Sequence, residues 1–468
     1  MIKHIHLIGI GGIGMSAIAQ LLLKQGWKVS GCDLKQNELT AQLKSLGIRV
    51  WIGHDAGHLE QVDTVAYSSA VGESNPEIQE AKRRGMRLMK RAEILSLLMQ
   101  DKTVITVTGM HGKTTTASLA SYLLSEARLF PTAAVGGILM NLGGNALTGE
   151  GRYFVAEADE SDGSFLCYHP DYSLITNIDY EHMDYYRDFS AIQTAFRTFI
   201  EQTKPGGILF CWQDDPYLRG ILKGYRQKVV YFGLGLTADV SASNIRLQGL
   251  TSEFDCLRKQ KFFGHFKLCL GGNHNILNAL AVIALAAELE IDAETIKAAL
   301  FNYKGTRRRL EEKFRSAEVL VLDDYGHHPA EIKATLEAVK LLNPRRLLVI
   351  FQPHRYTRTK FLLDDFAGCF TLADYVVITD IYPAGETEIP GVSGYSIYER
   401  LIPQKHQQAK FLAKDDILDF TLSILKPQDI VLFLGAGDIT KISDELAKVL
   451  KDKGNLKGRR ASSKAYQL

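Results

Sequence analysis

A lysine and a hydroxyl residue follow two glycines in the segment VTGMHGKTTT, which spans residues 107–116. Glycines let backbone amides turn towards phosphate oxygens, a lysine reaches the outer phosphates, and a hydroxyl at the start of a helix can ligate Mg²⁺. Gly112, Lys113 and Thr114 provide these groups between a strand pattern and a helical pattern. The general motif also has a glycine where Val107 stands, so the match is partial. The segment predicts a loop that binds nucleotide phosphates.

Two polar segments after later strand patterns contain candidate metal ligands. The strand pattern Tyr153–Glu157 runs into the sequence EADESD. A carboxylate at the carboxyl end of a strand beside a phosphate loop is where a second Mg²⁺ ligand is expected, and Glu157 has that position. Residues 176–184, TNIDYEHMD, follow the next strand pattern. His182 in this segment is a weaker candidate, because a lone histidine is more often an ordinary polar loop residue.

A second glycine-rich turn lies near the N-terminus. Gly9, Gly11 and Gly14 fit the pattern G-x-G-x-x-G after a strand and before a helix, and Asp33 ends the next strand 19 residues beyond Gly14. By the general rule this is a dinucleotide fingerprint with its ribose-binding acid. The turn lets a pyrophosphate approach the N-terminus of a helix, and NAD, FAD and a nucleotide sugar would all fit it.

One chain therefore contains two predicted phosphate-binding turns. The candidate functional classes differ in which of these turns they would use. An NAD(P)-linked oxidoreductase would leave residues 112–114 unexplained. A simple ATPase has no need of the first turn, and a nucleotide-dependent binding or regulatory protein would hydrolyse ATP slowly without consuming any amino acid. An ATP-driven enzyme that acts on a nucleotide-linked substrate uses both turns.

The surrounding elements predict the fold class. Short apolar runs alternate with helical segments almost throughout, which is typical of α/β proteins with parallel sheets. We expect three domains: a Rossmann-like domain at 1–100, a central P-loop ATPase-like domain at 101–305, and a Rossmann-like parallel sheet at 306–468. The Gly-, Ser-, Lys- and Arg-rich tail is expected to fray from about residue 453.

Composition excludes several other classes. The 468 residues are 46% hydrophobic and 23% charged, with a formal net charge of +2, which gives no global attraction to nucleic acid or acidic membranes. The six cysteines show no C-x-x-C spacing, and no close Cys/His cluster in the sequence suggests zinc. No signal-peptide pattern and no apolar run of about 18 residues is present. We expect a cytoplasmic protein that does not bind membranes.

The chain resembles the Mur ligases of bacterial cell-wall synthesis over nearly its whole length. Seven or eight ordered matches are far more specific than any one of them. The matching segments are GIGGIGMS (9–16), SSAVGESNPE (68–77), TGMHGKTTT (108–116), EADESDGSF (157–165), TNIDYEHMD (176–184), HNILN (274–278), DDYGHHP (323–329) and FQPHRYTRT (351–359).

The resemblance implies a reaction and a set of substrates. Mur ligases join a carboxylate to an amine with ATP, and release ADP and phosphate. The segments GIGGIGMS, DDYGHHP and QPHRYTR favour the member that joins L-alanine to the lactyl carboxylate of UDP-N-acetylmuramate. A related ligase that attaches a preformed peptide for recycling is the closest alternative. ATP and Mg²⁺ are the implied cofactors, and a monomer or weak homo-oligomer is expected.

The resemblance also implies roles for individual residues. It implies a catalytic set of Lys113, His182, His327, Arg355 and Arg358. It implies metal ligation by Thr114, Glu157 and His182. It implies nucleotide binding by Gly109, Met110, His111, Gly112, Lys113, Thr114, Thr115, His274, Asn275, Asn278 and Arg308, with Arg309 as the second residue of an interdomain basic pair. It implies substrate binding by Gly9, Gly11, Gly12, Ile13, Gly14, Asp33, Ser68, Ser69, Tyr325, Arg355 and Arg358.

Two of these roles follow from chemistry that the family reaction needs. An arginine binds a carboxylate through two parallel hydrogen bonds, so Arg355 or Arg358 is expected to hold the carboxylate of the incoming amino acid. His327 is a weak candidate for removing a proton from the amine. An alternative for residues 327–329 is a helix start, with Pro329 in the first helical position.

Overall fold

The computed structural model describes residues 3–182, 185–401 and 408–465, and side chains only as far as 452 in the last helix. Asp184, at the end of one predicted motif, lies outside the described residues. The chain divides into two compact units. The first contains Met1–Arg246, Ser252–Cys269 and Asn273–Thr306, and the second contains Leu247–Thr251, Leu270–Gly272 and Arg307–Leu468. Among the described residues, no helix is both long and apolar enough to cross a membrane.

The first hundred residues form a five-stranded parallel sheet. Its strands are β1 (His4–Ile8), β2 (Lys28–Asp33), β3 (Arg49–Ile52), β4 (Thr64–Tyr67) and β5 (Arg87–Lys90). Its helices are α1 (Ile13–Lys24), α2 (Glu38–Ser45), α3 (Pro76–Arg83) and α4 (Arg91–Leu98). The strand order is β3-β2-β1-β4-β5. The order reverses between β1 and β4, and ligands bind at such reversals in open parallel sheets.

The middle of the chain forms a ten-stranded sheet. Its strands are β6 (Thr103–Thr108), β7 (Thr132–Leu139), β8 (Gly144–Thr148), β9 (Tyr153–Glu157), β10 (Tyr172–Ile175), β11 (Ile208–Trp212), β12 (Lys228–Gly233), β13 (Val240–Gln248), β14 (Thr251–Arg258) and β15 (Lys261–Leu268). The order is β15-β14-β13-β12-β11-β10-β6-β9-β7-β8. The phosphate-loop strand β6 is a central strand, and every residue of it after Thr103 is buried.

Five helices accompany this sheet. They are α5 (Lys113–Glu126), α6 (Phe189–Glu201), α7 (Leu218–Ile221), α8 (Asn273–Glu288) and α9 (Ala293–Asn302). Helices α5 and α8 are almost fully buried, as expected for helices covered on most sides, and α8 is rich in Ala and Leu. Asp188 and Asp292 cap α6 and α9 by accepting hydrogen bonds from backbone amides in the first turn.

The last third forms a six-stranded sheet. Its strands are β16 (Glu311–Arg315), β17 (Val319–Asp324), β18 (Arg346–Phe351), β19 (Tyr375–Ile378), β20 (Gln408–Phe411) and β21 (Asp429–Leu434), in the order β16-β17-β21-β18-β19-β20. Its helices are α10 (Pro329–Lys340), α11 (Tyr356–Phe361), α12 (Leu363–Cys369), α13 (Gly394–Leu401), α14 (Ile417–Ile424) and α15 (Thr440–Ala465). All strand pairs are parallel except β16 with β17.

The predicted α/β class is confirmed, and the three sheets are mainly parallel. The pairs β7–β8, β14–β15 and β16–β17 are antiparallel. The expected fraying from about residue 453 stays a prediction, and the backbone of α15 is helical to Ala465. Lys, Leu, Arg and Ala are good helix formers, and they outnumber the two glycines in this segment.

Candidate active site

Two glycines shape the loop between β6 and α5. Gly109 has φ +123° and Gly112 has φ +86°, conformations that favour glycine. A Cβ atom on Gly109 would lie 2.3 Å from the hydroxyl oxygen of Thr176, and one on Gly112 would lie 2.5 Å from the side-chain oxygen of Asn278. The loop therefore packs closely against the end of β10 and against α8, and a larger residue would displace it.

Lys113, the first residue of α5, reaches back over this loop. Its Nζ donates hydrogen bonds to the carbonyl oxygens of Gly109 (2.7 Å) and Met110 (3.2 Å) and to Oε1 of the fully buried Glu160 (2.7 Å). Burial opposes the charge of Lys113, but the negative charges of Glu160 and Asp159 outweigh burial, so the lysine pKa lies above its ordinary value. The lysine is therefore positively charged, as a phosphate ligand must be.

The predicted Mg²⁺ ligands Thr114 and Glu157 lie side by side. The Thr114 hydroxyl donates to Oε2 of Glu157 at 3.3 Å, and the backbone amide of Gly136 donates to Oε1 at 2.7 Å. Burial raises the pKa of the Glu157 carboxyl, an effect that the Gly136 amide and the charge of Lys113 oppose. Hydroxyl and carboxylate oxygens are the hard donors that Mg²⁺ prefers. The donor set therefore fits Mg²⁺.

His182 lies in the same acidic surroundings. Its Nε2 is 3.4 Å from Oε1 of Glu160 and 3.8 Å from a carboxylate oxygen of Glu181. Burial lowers the pKa of His182, but the hydrogen bond to Glu160 and the charge of Glu181 raise it above its ordinary value. Glu160 thus contacts both Lys113 and His182. Its second oxygen is buried and has no hydrogen-bond partner among the described residues, so it can accept a further ligand.

The remaining loop residues are held by the end of β10. Asn177 accepts the backbone amide of His111 at 2.9 Å, and its own amide donates to the His111 carbonyl at 2.9 Å. The Thr176 hydroxyl donates to the same carbonyl at 2.6 Å. Met110 and Thr115, which sequence similarity also assigned to nucleotide binding, are buried in this loop and in the first turn of α5. These bonds fix the backbone that would hold phosphate oxygens.

The start of α8 lies against the same loop. Asn275 and Asn278 are buried, and the Asn278 amide donates to the Asn275 side-chain oxygen at 3.4 Å. The spacing i, i+3 does place both amides on one helix face. His274 precedes them and is partly buried. The Asn278 side chain thus lies against Gly112, so the two asparagine amides are next to the loop between β6 and α5.

The N-terminal glycine turn is closed by Asp33. The carboxylate of Asp33 accepts the backbone amide of Gly11 at 2.9 Å, so this acid stabilises the turn itself. The amides of Gly9 and Ile10 donate to the carbonyl of Cys32 at 2.9 and 3.0 Å. Helix α1 begins at Ile13, directly after Gly12. The turn therefore presents the N-terminus of a helix at the reversal of strand order, which suits a pyrophosphate.

Ser68 and Arg91 border this turn. Ser68 follows β4, its amide donates to the Ile8 carbonyl at 3.2 Å, and its Cβ would lie 3.2 Å from a Cβ on Gly9. Ser69 is exposed. Arg91, at the start of α4, lies on the other side, since a Cβ on Gly14 would come within 2.8 Å of its guanidinium.

Arg91 also connects the glycine turn to the acidic loop after β9. Its Nη2 lies 3.5 Å from a carboxylate oxygen of Asp159. Burial disfavours the charge on Arg91, but Asp159 more than compensates, and the arginine pKa is raised. Burial likewise opposes ionisation of Asp159, yet Lys113 and Arg91 together lower its pKa. Side chains of alternating charge, Lys113, Asp159 and Arg91, therefore connect the loop after β6 to the first glycine turn.

In the second unit, two arginines stack on Tyr325. The guanidinium carbons of Arg308 and Arg309 lie 5.0 and 5.3 Å from the centre of the tyrosine ring. Arg308 also donates to the Gly435 carbonyl and lies 3.7 Å from the buried Asp323. The predicted residues Tyr325 and Arg308 are therefore in direct contact, at the carboxyl end of β17.

The remaining predicted residues of this unit follow β17 and β18. Nδ1 of His327 donates to the carbonyl oxygen of Tyr325 at 3.0 Å, and α10 begins at Pro329, as the helix-start alternative predicted. Arg355 has φ +70° at the start of α11, and Arg358 contacts Nδ1 of His354 at 3.2 Å. The Arg355 amide donates a hydrogen bond to the Tyr382 carbonyl, and this bond fixes the strained backbone conformation of Arg355.

Three site residues had no predicted individual role. Glu160 lies within EADESD, Arg91 starts an ordinary helix, and His354 lies within FQPHRYTRT. Burial, together with the nearby His327 and Arg358, lowers the pKa of His354 to about 2, so the ring is neutral and can accept the guanidinium N–H. The sequence shows that the segments EADESD and FQPHRYTRT are polar, but it does not show which residues Glu160 and His354 contact.

Sequence profiles match the three parts of the chain in order. The profile of the Mur ligase family, catalytic domain, matches residues 4–103, that of the Mur ligase middle domain matches 107–286, and that of the Mur ligase, glutamate ligase domain, matches 308–437.

Named relatives extend over almost the whole chain. The UDP-N-acetylmuramate--L-alanine ligase of Anaeromyxobacter sp. (strain Fw109-5) is 44% identical over 447 residues, which cover 96% of this chain and 98% of that protein. The same-named protein of Syntrophus aciditrophicus (strain SB) is 42% identical over 452 residues, covering 96% and 94%.

Two solved structures show the same arrangement of elements. UDP-N-acetylmuramate-alanine ligase from Thermotoga maritima superposes with a TM-score of 0.84 at 30% identity, and covers 97% of this chain and 100% of that one. A murein peptide ligase from Psychrobacter arcticus 273-4 superposes with a TM-score of 0.71 at 25% identity, covering 96% and 98%.

Proposed function

This chain belongs to the Mur ligase family, and we propose that it joins L-alanine to the lactyl carboxylate of UDP-N-acetylmuramate at the expense of ATP. The observation that carries the proposal is the similarity over nearly the full length of both chains to ligases of that name. The charged Lys113 in a rigid glycine loop supports the use of ATP. The product is a precursor of peptidoglycan.

The reaction proceeds in two steps. The lactyl carboxylate attacks the γ-phosphorus of ATP, the bond from that phosphorus to ADP breaks, and an acyl phosphate forms. The amine of L-alanine then attacks the acyl carbon, phosphate leaves with the electron pair of its bond, and the amine loses a proton. Protein residues do little covalent chemistry in phosphoryl transfer, so their contribution is positioning and charge neutralisation.

Lys113 neutralises charge on the transferred phosphoryl group. In the structure its Nζ is held by two loop carbonyls and by Glu160, so its position is fixed before substrate arrives. We propose that Glu160 is the positioning residue for Lys113 and His182. Gly109, Gly112 and the backbone of His111 hold the phosphates, and His274, Asn275 and Asn278 contact the adenine side.

Mg²⁺ is the proposed metal, held by Thr114, Glu157 and His182. When bound by these residues, it would supply positive charge that offsets the negative charge of the phosphates and of the transition state. Thr114 and Glu157 already share a hydrogen bond, so only a small movement would turn their oxygens towards a common cation. His182, with Glu160 and Glu181 beside it, lies in an acidic environment that favours cations.

The other substrate-binding residues have these proposed roles. The turn of Gly9, Gly11, Gly12, Ile13 and Gly14 holds the UDP pyrophosphate, with Asp33, Ser68 and Ser69 at its border. In the second unit, Arg355 or Arg358 binds the carboxylate of alanine. Tyr325 and Arg308 form a stacked pair. His327, two residues after Tyr325, remains a candidate for receiving the proton of the amine.

We further propose a cytoplasmic enzyme that binds neither nucleic acid nor membranes and acts as a monomer or weak homo-oligomer. The near-neutral net charge of +2 and the reduced cysteines support this setting. The proposed domains remain 1–100 for the UDP substrate, 101–305 for ATP, and 306–468 for the C-terminal Rossmann-like fold.

Phosphate release tests this function. Purified protein is incubated with ATP, Mg²⁺ and UDP-N-acetylmuramate, and L-alanine, glycine, L-serine or the cell-wall tripeptide is added one at a time. We expect release that requires both the nucleotide sugar and L-alanine. Release with the tripeptide instead would move the protein to peptide recycling. No release with any acceptor, together with binding of NAD(P), would favour an oxidoreductase.

A further inference from the structure

Four side chains from separate elements of the first hundred residues converge on one buried site. They are His6 on β1, Cys32 on β2, His58 on the short helical turn Ala56–Leu59, and Glu77 on α3. One ligand atom from each lies within 4.8 Å of every other. We name these four residues the His–Cys–Glu cluster. None of them has a role in the ligation chemistry proposed above.

The cluster is buried and centred on one carboxylate. His6, Cys32 and Glu77 are fully buried. Oε1 of Glu77 is 2.7 Å from Nδ1 of His58 and 3.2 Å from Nε2 of His6, and Oε2 is 2.8 Å from the sulfur of Cys32. A fifth residue, His54, places its Nδ1 3.0 Å from Oε2 and 3.1 Å from the sulfur.

The hydrogen bonds behind His6 fix which of its nitrogens carries the proton. His4 Nδ1 lies 2.7 Å from the Gln61 carbonyl, which can only accept, so that nitrogen is protonated. In the neutral ring His4 Nε2 then accepts from the Ser30 hydroxyl, 3.0 Å away, and Ser30 in turn accepts from Nδ1 of His6 at 3.0 Å. When the His6 ring is neutral as well, its Nε2 is left with a lone pair.

That lone pair points at a negatively charged oxygen. It faces Oε1 of Glu77 at 3.2 Å, in a place without water access, and Nε2 has no hydrogen bond among the described residues. Two acceptors in contact repel unless a cation lies between them. A metal-binding histidine typically donates its other ring N–H to a fixed acceptor, and Ser30 is such an acceptor for His6.

We propose that the His–Cys–Glu cluster is a structural site for a divalent transition-metal ion of the zinc type. Its ligands are Nε2 of His6, Sγ of Cys32, Nδ1 of His58 and one oxygen of Glu77. Imidazole, thiolate and carboxylate are the ligands of zinc sites, and four of them complete a closed tetrahedron. A thiolate and a carboxylate together balance the two charges of the ion.

The spacing suits such an ion. Zinc bonds of about 2.0–2.3 Å require ligand atoms roughly 3.3–3.8 Å apart in a tetrahedron. The present separations run from 2.7 Å to at most 4.8 Å, so binding needs movements of about an ångström or less within the cluster. His54, beside both Cys32 and Glu77, supports the ligands from outside.

The ion would stabilise the end of β2, whose residues Cys32 and Asp33 accept hydrogen bonds from the first glycine turn. The Cys32 carbonyl accepts the amides of Gly9 and Ile10, and Asp33, the next residue, accepts that of Gly11. A metal bound at Cys32 therefore holds the end of β2 and joins it to β1, the 56–59 turn and α3. Trp51 stacks on the His58 ring at a centroid distance of 4.6 Å.

Metal content and a cobalt spectrum test the site. The full-length protein is stripped with a chelator, incubated with Zn²⁺ or Co²⁺ alone without ATP or Mg²⁺, desalted and measured for bound metal. We expect about one ion per chain and, with Co²⁺, the intense near-ultraviolet charge-transfer band of a thiolate ligand. Cys32→Ser should lose the band, whereas Cys369→Ser, a buried cysteine in the other unit, should keep it.

Other outcomes overturn the proposal. Absence of stoichiometric metal and of the thiolate band in the wild-type protein would mean that the cluster is only a hydrogen-bonded network. A band that survives in a folded Cys32→Ser protein would place the metal elsewhere. Where Cys32→Ser does not fold, wild-type melting decides: Zn²⁺ should raise the melting temperature of stripped protein, and an unchanged temperature contradicts the site.

Discussion

Replacing Lys113 with alanine tests how the phosphate loop works. The side chain makes three hydrogen bonds, two to loop carbonyls and one to the buried Glu160, and it lies where ATP phosphates are proposed to bind. The substitution removes the positive charge and leaves the Glu160 carboxylate without that partner. It therefore changes both stability and chemistry, and the two effects have to be separated.

The structure sets the size of each effect. Glu160 is fully buried and the Lys113 side chain is 16% exposed, so the pair counts as buried. Removal of one partner from a buried ion pair costs about 3–5 kcal/mol of unfolding free energy. Removal of one preorganised donor to a developing charge costs about 2.7–4 kcal/mol of activation free energy, or roughly 100- to 1000-fold in kcat.

The double variant Lys113→Ala/Glu160→Gln separates the two effects. It no longer buries an unpaired charge, so its melting temperature should recover towards that of the wild type. Its kcat for phosphate release in the presence of both proposed substrates should stay at least about 100-fold low. If folded Lys113→Ala protein keeps a kcat within tenfold of wild type, Lys113 does not have the role assigned to it.

Three further predictions concern other parts of the chain. Arg355→Ala and Arg358→Ala should change mainly the KM for L-alanine, with one of them raising it roughly 10- to 150-fold through loss of a charged hydrogen bond; an unchanged KM in both refutes the carboxylate assignment. Gly109→Ala should lower the melting temperature more than Gly206→Ala, because both have positive φ but only the Cβ at 109 meets a neighbour, at 2.3 Å. His354 has its pKa lowered to about 2 from 6.5, so the unfolded chain binds a proton that the folded one does not, and stability falls as pH drops below about 6.5. His354→Gln should weaken that fall between pH 7 and pH 5 in thermal melts, and an identical pH dependence would contradict it.

The phosphate loop and its strand were predictable because their signals are local. Glycines 109 and 112 and the lysine and threonine after them stand in one decapeptide, and the observed positive φ angles are those that such glycines serve. The alternation of apolar runs and helices likewise predicts parallel sheets, because buried parallel strands are continuously apolar.

The strands of residues 240–268 were harder to recognise. Burial alternates along β13, β14 and β15, with polar and charged side chains between the buried ones. Such strands face solvent on one side and lack a continuous apolar run. The antiparallel pair β14–β15 was therefore not expected in a chain whose other strands read as parallel.

Contacts between distant residues could not be predicted from one sequence. Glu160 is 47 residues away from Lys113 in the sequence. Arg91 at the start of α4 contacts Asp159, which follows β9 of the second sheet. The His–Cys–Glu cluster draws its ligands from positions 6, 32, 58 and 77, a spacing with no metal-binding pattern. The pairing of β2 with β1 brings Cys32 to His6, and the packing of the 56–59 turn and of α3 adds His58 and Glu77.

A competition experiment tests the central claim most directly. The protein is given ATP, Mg²⁺, UDP-N-acetylmuramate and equal concentrations of L-alanine, glycine, L-serine and the tripeptide, and the products are identified by mass spectrometry. We predict that the main product is UDP-N-acetylmuramate extended by one alanyl residue, with one phosphate released per product. A tripeptide adduct as the main product, or phosphate release without any adduct, would contradict the proposed ligation of L-alanine.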